Sequence, residues 1–129
     1  MASIEVPVGS WAWTASLLAR VDAKDSAGFV SFLAPAANFR FANQPAARGH
    51  DAIAATVAGF FAAVKGLRHE ILRTWSVPDH AICEGRVTYI RHDGSQVTLP
   101  FVNVLELRGD LIADYRVYID ATPLFAPAA

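Results

Sequence analysis

The stretch VTLPFVNVLELRGDLIADYRVYID, residues 97–120, decides the fold class of this chain. Apolar side chains recur at every second position on both sides of the pair Gly109-Asp110. A period of two is typical of a β-strand that buries one face, and a Gly-Asp pair between two such runs is a hairpin signal. The stretch therefore predicts two antiparallel strands joined by a tight turn.

The same period continues towards the N-terminus as far as Gly66. Two further turn signals, Pro78-Asp79 and Asp93-Gly94, divide this region into separate segments. Segments of this kind, joined by short turns, pair with their neighbours in sequence order. The second half is therefore predicted to be an antiparallel meander of four strands, at 67–76, 80–91, 96–107 and 111–120.

Before Gly66 the apolar residues follow a helical period, which predicts three helices. Ser10 is a candidate N-cap of the first helix, whose buried positions are Trp13, Leu17, Leu18 and Val21. The second helix begins within 22–25, ends at Pro35 and buries Phe29, Val30 and Leu33. The third runs from His50 to Lys65 and is stopped by Gly66, with an apolar stripe at Ile53, Val57, Phe60, Phe61 and Val64.

Between the second and third helices, the segment NFRFANQP at 38–45 alternates like a strand that Pro45 closes. Helices gathered early and strands gathered late predict an α+β fold, with three N-terminal helices packed on one face of a curved, mostly antiparallel sheet. With 129 residues, of which 53% are hydrophobic, the chain is expected to form a single domain, 1–129. A curved sheet wrapped around helices tends to leave a cavity between the two layers.

Composition and charge argue against several classes of protein. A net charge of −1, without a run of like charges, gives no footprint for nucleic acid. The single Cys83, and four histidines without i,i+3 or i,i+4 pairing, predict neither a disulfide nor a metal site, and no cofactor is expected. No apolar run approaches the roughly 18 residues of a membrane helix. The opening MASIEVPVGSWAW does not resemble a signal peptide, so a cytoplasmic protein is expected.

Glu84 and Arg86 lie in the strand predicted at 80–91. Residues two apart in a strand project from one face, so the carboxylate and the guanidinium share their surroundings. Two interpretations stay open at this point. Either Glu84 is a proton acceptor in a pocket, oriented by Arg86, or the two are structural ions on the surface or at a dimer interface. An exposed ion pair of this kind contributes roughly 0 to 1 kcal/mol.

Three regions carry a resemblance that covers nearly the whole chain. They are VDAKDSAGFVSFLAP at 21–35, FANQP at 41–45 followed by GHDAIAATVAGFF at 49–61, and the stretch at 97–120. Their order resembles the nuclear transport factor 2-like superfamily, which includes SnoaL-like polyketide cyclases, ketosteroid isomerases and limonene epoxide hydrolases. The resemblance implies one SnoaL-like domain with a cone-shaped, cystatin-like fold. It does not imply one activity, because this fold hosts unrelated chemistries.

The epoxide hydrolase pattern is only partly present. In that family a Tyr and an Asn, two residues apart, hold the nucleophilic water; Asn43 matches the Asn, whereas Phe41 replaces the Tyr. The family's Arg and Asp on the third strand of the sheet fall on Glu84 and Arg86, in reversed order. Its proton-accepting Asp falls on Val117. Without that base, the epoxide-opening mechanism cannot run as it does in the family.

The ketosteroid isomerase pattern is reduced in a similar way. That family's general-base Asp falls on Phe41 and its helix-one Tyr falls on Leu17, so neither proton-transfer group is present. Its second acid, which donates a hydrogen bond to the developing oxyanion, falls near Asn103. An amide donates that bond more weakly than a protonated carboxylic acid does. The resemblance therefore implies an oxyanion donor without its base.

A mostly apolar pocket for a small molecule is the implied site. Its apolar wall is expected from Trp13, Leu17, Phe41, Phe60, Leu99, Phe101, Val117 and Ile119. Its polar groups are expected to be Asn43, Glu84, Arg86, Asn103 and Tyr115. Tyr115 and Tyr118 point to opposite faces of one strand, so only one of them can line the pocket. His69 is interpreted as an ordinary strand residue.

Two functions stay open on these grounds. The first is binding of a small apolar, oxygen-bearing molecule, with cofactor-free acid–base chemistry of the isomerase, cyclase or hydratase kind. Glu84 would be the base, and Arg86, Asn103 and Asn43 would hold oxygens. The second is a non-catalytic module that dimerises or holds a ligand. The outer sheet face is commonly a dimer interface in this superfamily, so a homodimer through Arg116, Tyr118 and Asp120 is expected.

Overall fold

The structure is a computed structural model that describes residues 6–125. In chain order its elements are α1 (Trp11–Asp22), α2 (Ser26–Val30), β1 (Leu33–Phe41), β2 (Ala47–Arg48), α3 (His50–Ala63), β3 (Gly66–Val77), β4 (His80–Ile90), β5 (Gln96–Arg108), β6 (Leu111–Ile119) and α4 (Thr122–Phe125). The strands form one sheet in the order β2-β1-β6-β5-β4-β3. Neighbouring strands are antiparallel except β1 and β6, which are parallel. The predicted α+β class is confirmed.

The predicted meander is also confirmed, because β3, β4, β5 and β6 pair in sequence order. Each of its turns contains a residue with positive φ: Asp79 at 67°, Gly94 at 88° and Gly109 at 62°. Gly and Asp tolerate this backbone conformation better than most residues, so the residue types at these positions were sufficient to predict the turns. Register shifts within the β3–β4 and β5–β6 pairs mark bulges, which bend the strands and curve the sheet.

The helices pack on the inner face of this sheet. Ser10 caps α1 as predicted, since its Oγ accepts a hydrogen bond from the backbone N–H of Trp13 at 3.2 Å. The buried positions of α1 include Trp13, Leu17 and Leu18, and those of α3 are Ile53, Val57 and Phe61. These side chains form the core together with the inward-facing residues of β4, β5 and β6.

The second helix is shorter than the sequence predicts. It ends at Val30, and Leu33 begins β1 rather than completing the helix. The cause is pairing with β6: the carbonyl of Phe32 accepts a hydrogen bond from the N–H of Ile112 at 2.9 Å, and Leu33 is in register with Ile112. Pro35 lies in β1 within a register irregularity, where its missing N–H removes no bond to β6.

The third helix ends earlier than expected as well. Ala63 is its last residue, Val64 is extended at φ −125°, and Gly66 begins β3 instead of stopping the helix. The carbonyl of Val64 accepts a hydrogen bond from Lys24 Nζ at 2.6 Å, which ties this junction to the end of α1. The short elements β2 and α4 had no counterpart in the sequence prediction. No helix within 6–125 has the length and apolar character needed to span a membrane.

Candidate functional site

A cavity of about 810 Å³ lies between α2, α3 and the inner face of the sheet. Much of its wall is aromatic and apolar, with Phe29, Phe39, Phe41, Phe60, Phe61 and Phe101 among the lining residues. The loop at 42–45 and the residues at 120–122 form its mouth together with Phe125, whose side chain is exposed. A mostly apolar cavity of this size, open at one end, is suited to a small organic molecule.

Most of the residues predicted to line the pocket are on this wall. The structure places there Phe41, Asn43, Phe60, Phe101, Asn103, Tyr115, Val117 and Ile119. Asn43 was predicted to lie in a strand, but β1 ends at Phe41. Asn43 is instead exposed in the loop at the mouth of the cavity. Tyr115 points inward and is buried, whereas Tyr118 is 54% exposed on the outer face. Asp120, predicted on the outer face, lies beyond the end of β6 at the mouth.

Three predicted wall residues are wrong: Trp13, Leu17 and Leu99 do not line the cavity. Each is buried in the core instead. Trp13 packs edge-on against Phe32, with ring centroids 5.8 Å apart. Val21, near the C-terminal end of α1, lines the cavity. The side chains of the earlier turns of this helix pack in the core instead.

The prediction that Glu84 and Arg86 lie in the pocket is wrong. Both face the outer side of the sheet, with side chains 36% and 59% exposed. Glu84 pairs with Arg73 across the β3–β4 ladder at 2.9 Å, and Arg86 pairs with Glu70 at 3.7 Å. The physical reason is the alternation of β4, whose inward positions are the odd-numbered residues, among them Cys83, Gly85, Val87 and Tyr89. These two ion pairs have the character of surface salt bridges.

A His–Asp pair that the sequence analysis missed stands on the cavity wall. His69 lines the cavity from β3, and its Nδ1 lies 2.5 Å from Oδ1 of Asp22, the last residue of α1. The other carboxylate oxygen accepts the backbone N–H of His69 at 2.9 Å. The ring also packs edge-on against Phe101, with centroids 5.2 Å apart. Two contacts therefore hold the imidazole in one orientation, and the backbone N–H of His69 fixes the carboxylate of Asp22.

The hydrogen bond to Asp22 determines which ring nitrogen of His69 is free. A carboxylate only accepts, so Nδ1 carries the hydrogen and Nε2 has a lone pair when the imidazole is neutral. Within residues 6–125, Nε2 has no hydrogen-bond partner. The side chain of His69 is 10% exposed, and the residue lines the cavity. The arrangement can accept a proton from a molecule in the cavity while Asp22 stabilises the imidazolium.

Two tyrosines and an amide supply further polar atoms in the depth of the cavity. Asn103 Nδ2 donates to the hydroxyl of Tyr115 at 3.2 Å, and Asn103 Oδ1 is buried without a partner in the described part of the chain. Burial is the main cause that raises the pKa of Tyr115 above its usual range. Burial, followed by the charge of Asp22, raises the pKa of Tyr89 in the same way. Both hydroxyls therefore stay protonated at neutral pH and can donate hydrogen bonds.

Cys83 is a buried thiol on β4. Burial and the charge of Glu84 raise its pKa to about 11, so the thiol is protonated and unreactive at neutral pH. No group of three or more His, Cys, Asp or Glu side chains arranged to hold a metal ion occurs among residues 6–125.

Comparison with known proteins agrees with this architecture. The family model of the SnoaL-like domain matches residues 14–115, and the chain belongs to this family. Curated proteins give no significant match. The nuclear transport factor 2-like fold, with its cystatin-like α+β architecture, is also found in the solved structures of similar shape, which include proteins of epoxide hydrolase and ketosteroid isomerase-like type.

Three of these solved structures are similar to the chain in shape but have low sequence identity. TerC, co-crystallised with polyporic acid, is 17% identical with a TM-score of 0.78, over 86% of this chain and 91% of its own. A putative SnoaL-like polyketide cyclase from Jannaschia sp. CCS1 is 16% identical with a TM-score of 0.75, over 98% and 100%. An epoxide hydrolase of M. tuberculosis, similar to limonene epoxide hydrolase, is 18% identical with a TM-score of 0.72, over 87% and 83%. At these identities the likeness concerns the fold alone.

Proposed function

We propose that the protein is a cofactor-free acid–base enzyme of the isomerase, cyclase or hydratase kind, acting on a small apolar, oxygen-bearing molecule in the cavity. The observation that carries this proposal is the His69–Asp22 pair, with Nδ1 and Oδ1 2.5 Å apart on the wall of an aromatic cavity. His69 takes the role of base that the sequence had suggested for Glu84. Family membership supports the class of reaction, and the geometry of the pair supports the residue.

The proposed chemical step is removal of a proton from a carbon next to a carbonyl group. The lone pair on His69 Nε2 forms the new N–H bond, the C–H bond breaks, and its electrons shift to the carbonyl oxygen to give an enolate. Asp22 keeps the ring in the tautomer with a free Nε2 and stabilises the positive charge that develops on it. Return of the proton to another carbon, or loss of a neighbouring oxygen as water, completes an isomerisation or a dehydration.

The lining of the cavity supports a small organic substrate with few charges. Phe41 and Phe60 pack against each other with centroids 5.1 Å apart, and Phe60 continues to Tyr89 at 5.6 Å. Flat aromatic surfaces of this kind favour a ring in the ligand. The co-crystallisation of TerC with polyporic acid supports the idea that this fold accommodates a small organic molecule. Asn43 at the mouth and Asn103 in the depth remain candidates for oxygen contacts.

Epoxide opening of the limonene epoxide hydrolase type is disfavoured by two residues on the wall. Val117 and Phe41 line the cavity where that mechanism needs a proton-accepting Asp and a water-holding Tyr. Neither side chain can accept or donate a proton. The proposed base, His69, lies on a different strand of the sheet.

The test is deuterium exchange in D₂O, followed by NMR on a panel of cyclic ketones led by 1-tetralone. The wild-type protein is expected to accelerate exchange of the hydrogens next to the carbonyl. His69→Gln and Asp22→Asn are each expected to reduce the catalysed rate by roughly 10²- to 10⁴-fold, the usual contribution of a positioned acid or base. Glu84→Gln is the matched control, because its carboxylate faces outward, and its rate should equal the wild-type rate.

The possible outcomes distinguish an enzyme from a module that holds a ligand without chemistry. Wild-type exchange that survives His69→Gln would overturn the role of the pair. Ketones that bind, as seen in a thermal shift, without any catalysed exchange across the panel would overturn the enzyme and favour a module that only holds a ligand. A thermal unfolding curve for each variant shows whether the fold is retained.

A further inference from the structure

Tyr89 is buried in the sheet, and its hydroxyl makes no hydrogen bond to any of the residues 6–125. The residue is 2% exposed and lines the cavity from β4. Within residues 6–125, the buried side-chain polar atoms without a hydrogen bond are Asn103 Oδ1 and Arg116 Nε, and the latter still forms an ion pair with Asp114. The Tyr89 hydroxyl is not among them, although no side chain or backbone group of the described residues bonds to it. Its oxygen therefore keeps open surface, and the cavity is the space onto which this side chain borders.

Tyr89 is a diagonal neighbour of His69 on the inner face of the β3–β4 ladder. His69 is in register with Val87 across the β3–β4 ladder, and Tyr89 is two residues further along the same face. Such diagonal neighbours have Cα atoms about 7–8 Å apart, a distance that two long side chains bridge towards one ligand. The charge of Asp22 contributes to the raised pKa of Tyr89, which is consistent with a hydroxyl near that carboxylate. The aromatic ring of Tyr89 is held by Phe60 in a T-shaped contact at 5.6 Å.

We infer that the Tyr89 hydroxyl donates a hydrogen bond to the carbonyl oxygen of the substrate, beside the carbon from which His69 takes the proton. The inference rests on the proposed function and adds the substrate class: a cyclic ketone or related ring compound whose acidic C–H adjoins the carbonyl group. Base and oxygen donor stand on neighbouring strands of one wall, so both act from the same side of a flat substrate.

The hydroxyl does more for the enolate than for the ketone. As the proton moves to His69 Nε2, the electron pair of the broken C–H bond moves to the carbonyl oxygen, and its negative charge strengthens the hydrogen bond from Tyr89. A hydroxyl that stays protonated through neutral pH, on a ring fixed by packing, is suited to this role because it needs no reorganisation. The proton of Tyr89 stays on its oxygen, so the step remains balanced by His69 alone.

The test compares two ligands of nearly equal shape, 1-tetralone and its hydrocarbon counterpart tetralin, by calorimetric titration. Tyr89→Phe removes one hydroxyl and keeps the ring that packs on Phe60. The substitution is expected to lower the affinity for 1-tetralone by about 3- to 10-fold, the usual effect of one neutral hydrogen bond. It should change the affinity for tetralin by less than about 2-fold. Tyr118→Phe, which removes a hydroxyl from the outer face, is the matched control and should alter neither.

An infrared measurement on ¹³C-carbonyl 1-tetralone gives a second readout that does not depend on turnover. The carbonyl band of the bound ketone is expected to lie at lower frequency in the wild type than in Tyr89→Phe. Equal loss of affinity for both ligands, or an unchanged carbonyl band, would overturn the inference. Loss of ketone selectivity in Tyr89→Phe, together with exchange that is insensitive to His69→Gln, would leave the oxygen site in place and refute the proposed base.

Discussion

Asn103 and Tyr115 form the only hydrogen-bonded pair of side chains within 6–125 in which both residues are buried. Asn103 is 3% exposed and Tyr115 is 2% exposed. We expect Tyr115→Phe to lower the free energy of unfolding by about 1–3 kcal/mol, because it leaves the buried amide without its partner. Urea unfolding at neutral pH measures the change.

The control for this prediction removes both polar groups. In the double variant Tyr115→Phe with Asn103→Leu, no buried donor or acceptor of the pair remains, so most of the lost stability should return. A double variant that is as unstable as the sum of the two single variants would contradict the idea that the unpaired amide is the cause.

At the scale of the elements, the turn that follows β1 contains a residue in an unfavourable conformation. Ala42 has φ of 51° and its N–H bonds to the carbonyl of Val117 at 2.9 Å, at the mouth of the cavity. A left-handed conformation costs an L-residue roughly 1–2 kcal/mol, and glycine avoids this cost but loses chain entropy on folding. We expect Ala42→Gly to stabilise the protein by about 0.5–1 kcal/mol, measured by urea unfolding.

The same substitution elsewhere should have the opposite sign. Ala55 is exposed in the middle of α3 with ordinary helical geometry, and Ala55→Gly is expected to destabilise by about 0.5–1 kcal/mol. If Ala42→Gly destabilised the protein as much as Ala55→Gly does, the left-handed conformation of Ala42 could not be a source of strain.

The hairpin of β4 and β5 explains why Asn103 lines the cavity as predicted whereas Glu84 does not. Its register joins Cys83 to Asn103 and Glu84 to Val102. Residues directly opposite in a ladder share a face, so an inward Asn103 requires an outward Glu84. An inward Glu84 together with an inward Asn103 would need two incompatible registers, so the two predictions could not both hold. The symmetry of the hairpin about the Asp93-Gly94 turn is a local property, so this orientation was within reach of the sequence.

At the scale of the whole molecule, the outer sheet face is the expected site of self-association, and the homodimer stays a prediction. Its charged residues are largely paired, as in Arg116 with Asp114 at 3.0 Å. Exposed apolar and aromatic side chains stand among these pairs, with Trp75 47% and Tyr118 54% exposed. A face of neutralised charges and apolar surface suits an isologous contact with a second copy.

Val102→Glu tests this contact, since Val102 lies on the outer face between Glu84 and Tyr118 in the ladder. We expect the wild type to sediment as a dimer. The variant should dissociate roughly a hundredfold more readily, because an unpaired charge buried in an interface costs several kcal/mol. Ala55→Glu on the exposed side of α3 is the control and should remain dimeric. A wild type that sediments as a monomer at all concentrations would refute the prediction.

The sequence by itself determined the α+β class, the four long strands, their turns and the cap of α1. These features depend on residues within a few positions of one another, such as the alternation in 97–120 and the positive φ at Gly109. The resemblance to the superfamily further implied that Phe41, Phe101, Asn103 and Tyr115 line the cavity, and the structure has them there.

The position of the His69–Asp22 pair follows from packing between distant segments of the chain. Asp22 and His69 are 47 residues apart, and no local pattern connects the end of α1 with the inner face of β3. Their contact depends on how α1 packs against the sheet, which in turn depends on the bulges that curve it. The same packing placed the first turns of α1 in the core, so that Val21 lines the cavity from the end of this helix. Contacts between distant segments are set by the sum of all such packing, so they could not be derived from any single stretch of the chain.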